Sequence, residues 1–412
     1  MVTQMPQSGY KQTEVGVIPE DWEVQNIIDN STLKARIGWQ GLTTTEYLSS
    51  GKFCLVTGTD FNNGKIDWDN CVYVDEKRYS QDRNIQLKIE DILVTKDGTI
   101  GKIAYIKTLP LPATLNSGVF VIRPKEKAYF PLFFFYVLSS DYFSKFLSKL
   151  QAGSTINHLY QKDFGSFNFI VPEYSEQEKI AKILSDIDDL IVSLDTLIEK
   201  KKNMKQGAMQ ELLTGKKRLP GFKGELVMRR LEEIAGINMG QSPDSNYYNE
   251  KGEGIPLIQG NADIEGRRSI QRIWTTQITK SCDENDIILT VRAPVGVVGI
   301  ATNYSCIGRG VCSLKPKGVD RLYLYHLLIY NETGWKKLEQ GSTFTSANST
   351  QIDEFELYVS EFKEEQIAIA NVLSDMDSEI EKLEQRRNKY RQLRIGTMQQ
   401  LLTGRIRLKW KT

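Results

Sequence analysis

The stretch that most limits what this chain can fold into is one it uses twice. Residues 176–219 read EQEKIAKILSDIDDLIVSLDTLIEKKKNMKQGAMQELLTGKKRL, and residues 365–408 read EQIAIANVLSDMDSEIEKLEQRRNKYRQLRIGTMQQLLTGRIRL. From positions 176 and 365 onward the matches keep a single offset of 189 residues, with no gap. Apolar residues fall at Ile180, Leu184, Ile187, Ile191, Leu194 and Ile198 in the first copy. In the second they fall at Ile369, Leu373, Met376, Ile380 and Leu383. Steps of four and three in alternation make a narrow heptad seam, the pattern of a helix with one partner helix. Glu176 and Glu365 stand where a helix N-terminus favours negative charge, and Gly215 and Gly404 stand where a glycine ends one. Each copy is therefore expected as one helix, 176–214 and 365–403, about 57 Å long at 1.5 Å per residue.

Charge predicts how the two helices pair. Residues 176–199 carry seven acids and two bases, and 200–219 carry one acid and seven bases. The second copy repeats the division, with six acids against three bases in 365–388 and five bases without an acid in 389–408. Antiparallel pairing lays each acidic half on the other's basic half, whereas parallel pairing lays like on like. The seam weakens in the basic halves, where Lys201 and Arg387 hold seam positions, so a bend, a phase shift or a third partner is open there.

A chain of 412 residues has room for two or three domains with cores of their own. No apolar run approaches the length of a membrane span; the Pro131–Leu138 run is expected as a short buried segment. No signal peptide is visible at the N-terminus, and the five cysteines form no CxxC pair, so a reduced cytoplasm fits. Net charge is +1, so a nucleic-acid surface would have to be a local patch.

The stretches 20–172 and 222–360 read as many short strands with a few helices. They echo each other weakly. Phe53–Gly58 answers Ile255–Gly260, Asp91–Thr95 answers Asp286–Thr290, and Gly118–Pro124 answers Gly310–Pro316. Gly153-Ser-Thr155 answers Gly341-Ser-Thr343, while residues between the echoes differ widely. The expected fold class is α+β: two duplicated β-rich domains separated by two long helices that form an antiparallel coiled coil. The divisions are 1–172, 173–219, 220–360 and 361–412, with the β-rich domains at opposite ends in a pseudo-two-fold arrangement.

The sequence is similar to the specificity (S) subunit of type I restriction–modification systems, along essentially its whole length. The motifs that carry the resemblance are Tyr10-Lys-Gln-Thr-Glu-Val-Gly-Val-Ile-Pro-Glu-Asp-Trp-Glu-Val24, the helix opening at 176–188, Leu212-Leu-Thr-Gly-Lys-Lys-Arg-Leu-Pro-Gly-Phe222, and the Gly-Ser-Thr element before each helix. The second frame departs at its entrance, where Gly224–Met228 has no tryptophan opposite Trp22. The resemblance implies two target recognition domains, each reading half of a bipartite, asymmetric double-stranded DNA site, with the coiled coil as spacer. It also implies docking of two methyltransferase (M) subunits, joined by motor–nuclease (R) subunits. S-adenosylmethionine would then belong to M, and ATP with Mg²⁺ to R; this chain would bind no cofactor and catalyse nothing.

The residues agree with that division of labour. Gly-Lys pairs at 51, 64, 101 and 215 are followed by Phe, Ile, Ile and Lys, so no P-loop hydroxyl follows. Two distant histidines, His158 and His326, supply a metal site or a Ser-His-Asp triad poorly; His326 reads as packed and His158 as part of a polar loop. Asp91 and Asp286 read as matched turn residues rather than nuclease carboxylates. DNA reading asks for Lys and Arg at phosphates, and Arg, Lys, Asn, Gln, Ser or Thr at base edges. Candidates are Lys96, Asp97, Thr99, Ser154, Thr155, Asn157, His158, Tyr160, Gln161 and Lys162 in the first domain. In the second they are Arg267, Arg268, Arg272, Arg292, Arg309, Ser342, Thr343, Thr345, Ser346, Asn348 and Gln351. Two other classes are a coiled-coil scaffold whose β domains bind protein or carbohydrate, and a self-contained nuclease or methyltransferase, which the missing motifs disfavour.

Overall fold

A computed structural model describes residues 9–37, 41–152, 158–335 and 346–408. The chain forms two compact units, Met1–Ser193 with Arg387–Thr412, and Leu194–Arg386.

The first unit is organised on the strand Ile92–Thr95, buried along its whole length between Val119–Pro124 and Ile103–Tyr105, both antiparallel to it. Ser31–Lys34 completes this four-stranded sheet. A three-stranded sheet beside it holds a parallel pair, Phe53–Val56 with Ala113–Leu115. Glu23–Asn26 pairs with Asn168–Val171, closing the unit at its two chain ends. The Pro131–Leu138 run is a buried helix, in one core with Trp22, Phe164, Phe167, Phe169, Ile180, Leu184, Met398 and Leu401.

The second unit repeats these pairings in the same register. Thr95 faces Val119 in one and Thr290 faces Val311 in the other. Ile255–Ile258 lies parallel to Ser305–Ile307, and Val227–Arg230 pairs with Glu356–Val359. The sheet is longer, with six strands, and the core holds Trp335, Tyr323, Leu324, Ile369 and Leu373. Asp91 accepts from Lys88 N at 2.7 Å and from Arg123 Nε at 2.6 Å, and Asp286 accepts from Asp283 N at 2.9 Å. Both are turn residues.

The pairing also fixes the second frame's entrance. Trp22 directly precedes the Glu23–Asn26 strand, and Leu226 directly precedes the matching Val227–Arg230 strand. Each lies against the glycine that ends a long helix. Trp22 and Pro19 pack on Gly404, and Leu226 packs on Gly215. Trp22 Nε1 donates to Glu176 at 3.3 Å; in the second unit Ser360 Oγ donates to Glu365 at 2.5 Å instead. A smaller apolar residue plus a hydroxyl thus replaces the indole.

The long helices run Tyr174–Leu212 and Lys363–Leu401, 39 residues each. They begin and end two residues before the expected limits, because the chain leaves the helix at the turn that carries it into Gly215 (φ +72°) and Gly404 (φ +69°). Their halves pair antiparallel within each unit. In the first, Arg394 pairs with Asp188 and Arg407 with Glu176 at 2.7 Å. In the second, Lys205 pairs with Asp377 at 2.6 Å and Arg218 with Glu365. These are the same two bonds, shifted by the repeat. The seam does not slip phase: it continues through Lys201, Lys205, Ala208 and Leu212, all at least half-buried. The cations there turn to acids, Lys201 reaching Glu379 at 2.7 Å. Ile180, Leu184, Leu194, Ile198, Ile369, Leu373 and Ile380 are buried, and Ile187, Ile191, Met376 and Leu383 half-buried. In the basic halves a third partner is present, the β-rich core, which takes in Met398 and Leu401 in one unit and Met209 and Leu212 in the other; at the acidic ends it likewise takes in Ile180 and Leu184, and Ile369 and Leu373. Toward these ends the seam is therefore wider than a two-stranded coil requires.

Gly404 makes a test of the entrance. A Cβ there would sit 2.4 Å from Pro19 Cγ, on left-handed backbone, whereas at Gly215 the nearest atom is Leu226 Cγ at 3.0 Å. Gly404→Ala should cost on the order of 2–3 kcal/mol, and Gly215→Ala about 1–2 kcal/mol because a leucine tip can yield. Urea unfolding of the two variants checks the order; equal losses would contradict the packing.

Candidate nucleic-acid interface

In each unit the candidate residues gather where the central buried strand ends. Beyond Thr95 the chain turns through Lys96, Asp97, Gly98 and Thr99, and the Thr95 hydroxyl ties the turn by donating to Thr99 O at 2.6 Å and accepting from Lys102 N at 2.9 Å. Beyond Thr290 the same device recurs, the hydroxyl donating to Pro294 O at 2.6 Å and accepting from Val297 N at 2.9 Å. A buried threonine used in this way fixes the loop from below.

Three segments meet at this turn. Lys96 N donates to Gly118 O at 2.8 Å and Leu159 N donates to Lys96 O at 2.8 Å. In the second unit Val291 N donates to Gly310 O, and Ala347 N to Val291 O, both at 2.9 Å. Asp97 faces His158 across one bridge, and Arg292 faces Ser346 across the other. The backbone frame is the same, while the pair mounted on it is acid with imidazole in one unit and guanidinium with hydroxyl in the other.

The remaining sequence candidates divide by what their polar atoms already do. His158 Nδ1 is bonded to Asp97, and its ring lies 4.6 Å from that of Tyr160, which is exposed. Lys162 Nζ lies 5.9 Å over the Tyr160 ring, and Lys96 Nζ 5.2 Å over Phe120. Thr99, Gln161, Arg268, Arg292, Arg309 and Ser346 are exposed. Arg267 is committed to a bidentate pair with Glu332, whose carboxylate raises the arginine above its ordinary value. Arg272 donates to Ala262 O at 3.0 Å. Asn348 and Gln351 cap each other's backbone at the start of helix Ser349–Asp353. Ser154, Thr155, Asn157, Ser342, Thr343 and Thr345 lie outside the described residues.

One neighbour escaped the sequence reading. The loop after Val56 lies beside Thr95, with Gly58 O accepting from Lys102 Nζ at 3.4 Å, so Thr57 and Thr59 join this rim. In the second unit Gln259 O sits against Gly310, at a place where a Cβ would come within 2.0 Å. The Phe53–Gly58 and Ile255–Gly260 echo was the available signal, but it marked scaffold rather than rim.

Burial pushes the Cys282 and Cys312 thiols up to about 12 and takes His326 down to about 4, where it packs as a neutral ring bonded to Ser374 at 3.0 Å. No group of three or more His, Cys, Asp or Glu able to hold a metal occurs among the described residues. No helix among them is long and apolar enough to cross a membrane.

One backbone frame is carried twice, with different polar side chains mounted at its matched positions. The model of the type I restriction modification DNA specificity domain matches residues 19–203 and 223–390. The chain is 30% identical over 421 residues to a putative type I restriction enzyme MjaX specificity subunit of Methanocaldococcus jannaschii, covering 98% of both chains. It is 24% identical over 327 residues to the EcoKI specificity subunit of Escherichia coli K12, covering 75% of this chain and 68% of that one. The fold resembles the type I restriction–modification S subunit from M. genitalium, with a TM-score of 0.64, 16% identity, and coverage of 92% and 96%. The chain belongs to the type I restriction–modification DNA specificity family, the DNA-recognising and non-catalytic component of such systems.

Proposed function

We propose that each unit reads one half of a bipartite, asymmetric double-stranded DNA site, and that the long helices set the gap and dock two methyltransferase subunits. The recognition domains are residues 1–172 and 220–360, and the spacers 173–219 and 361–412. The observation that carries this reading is the matched frame position, Asp97 with His158 against Arg292 with Ser346. Identical frames with exchanged pairs suit two different half-sites better than one surface used twice. S-adenosylmethionine belongs to the methyltransferase partners, ATP and Mg²⁺ to motor–nuclease partners, and the assembly works in the cytoplasm. Incubated with S-adenosylmethionine, ATP and Mg²⁺, the purified chain should neither methylate nor cut DNA. With its methyltransferase partner it should methylate adenine within one split motif. Methyl transfer by the chain alone, or a continuous motif, would refute the reading.

A further inference from the structure

Asp97 and His158 are 61 residues apart in sequence and joined side chain to side chain at the rim, with 42% and 31% of their side-chain surfaces exposed. An ionised carboxylate only accepts hydrogen bonds, so the hydrogen of a neutral imidazole bonded to it belongs on Nδ1. Nε2 then carries a lone pair and can only accept. In the major groove, adenine N6 and cytosine N4 offer amino hydrogens, while guanine offers acceptors and thymine an acceptor and a methyl group. Arg292, at the matching place, has donors and no acceptor, the opposite polarity, and suits guanine O6 and N7. The residues before Asp97 and Arg292, Lys96 and Val291, are held by the same pair of backbone bonds, and rigid mounting is what discrimination between base edges requires.

We infer that Asp97 and His158 form one base-reading unit, with Asp97 as the positioning residue. In it Nε2 of His158 accepts from the amino group of adenine or cytosine, while Arg292 in the other unit takes guanine. This rests on the recognition reading above and assigns it a base class at one position of each half-site. Tyr160, whose ring is tilted against that of His158, and Lys162, which lies over the Tyr160 ring, lend a face and a positive charge that suit the neighbouring sugar and phosphate.

The test is selection of bound duplexes from a random pool by the full chain co-purified with its methyltransferase partner. In D97N the amide can donate to Nδ1, which moves the ring hydrogen to Nε2 and turns the acceptor into a donor. One base pair of one half-site should lose its adenine-or-cytosine preference, a change of about tenfold or more in discrimination, with the other half-site unaltered. R292Q should shift one base pair of the other half-site from guanine to adenine, since glutamine pairs with adenine N6 and N7. H158Q covers the case in which D97N does not fold: its amide should narrow the same position to adenine. An unchanged motif in the folded variants, or a uniform loss of affinity over all sequences, would overturn the inference, because a loop staple or phosphate anchor behaves that way. A wild-type complex that enriches no motif would instead defeat the recognition reading itself.

Discussion

Arg218→Ala should destabilise the Leu194–Arg386 unit by about 3–5 kcal/mol at neutral pH, the cost of leaving one partner of a buried ion pair behind. Glu365 is fully buried and accepts from Arg218 Nε at 2.7 Å, from the same guanidinium a second time, and from Ser360 Oγ at 2.5 Å. Burial alone would push its carboxyl up, but Arg218 and Ser360 outweigh that and hold it below the ordinary value. A depressed carboxyl contributes stability that is present above its unfolded value and lost as pH falls through the folded one. With Arg218 gone, burial is opposed only by the hydrogen bonds from Ser360 and Leu219 N, and the folded value should rise. The variant then loses less stability than wild type as acid protonates Glu365, so the gap to wild type should shrink between pH 7 and about pH 4. Amide exchange in the second unit measures the loss, and a loss independent of pH would contradict the pair. Replacing Arg218 and Glu365 together by methionine should recover much of the stability, since no buried charge is stranded.

That ion pair was half-legible in the sequence, and the reason shows what the chain gives away. The acidic and basic halves of 176–219 and 365–408 predicted antiparallel pairing, because a helix displays its charges at a fixed rise and period. Which acid meets which base needed the structure. Arg218 lies beyond the helix end, and only the turn at Gly215 brings it to Glu365. Lys201 looked like a fault in the seam for a similar reason, its partner Glu379 being on the other helix. The sheets were legible only as echoes. The Ile-x-x-Thr strands were matched correctly, yet short strands carry no local record of their neighbours, so register and the parallel pairs came from the fold. At the site, sequence marked Asp97 and His158 separately and could not join them across 61 residues. Nor could it show that the guanidinium of Arg267 is already bonded to Glu332, or that Asn348 and Gln351 cap a helix. Residue type names what a side chain could do; its neighbours decide what remains available.

Lengthening both long helices by one heptad should lengthen the unread gap in the DNA site by about three base pairs and leave both half-sites unchanged. Seven residues add about 10.5 Å of helix, against 3.4 Å per base pair. A heptad is the right unit because the seam keeps its three-four step from Ile180 to Leu212 and from Ile369 to Leu401, so whole heptads keep buried positions facing inward. The insertions belong at Ser193 and Arg387, clear of the ends where Ile180, Leu184, Ile369 and Leu373 enter the β-rich cores. Both helices must grow together, or the antiparallel bonds Asp188–Arg394 and Lys205–Asp377 lose their register. A four-residue insertion in one helix would shift the gap by roughly two base pairs only if the seam tolerated the slip, and should bind more weakly. Mapping methylated adenines in cells carrying the lengthened chain reads the gap directly. A gap that stays constant while the half-sites persist would mean that the helices hold the methyltransferase partners without setting the spacing of the DNA site.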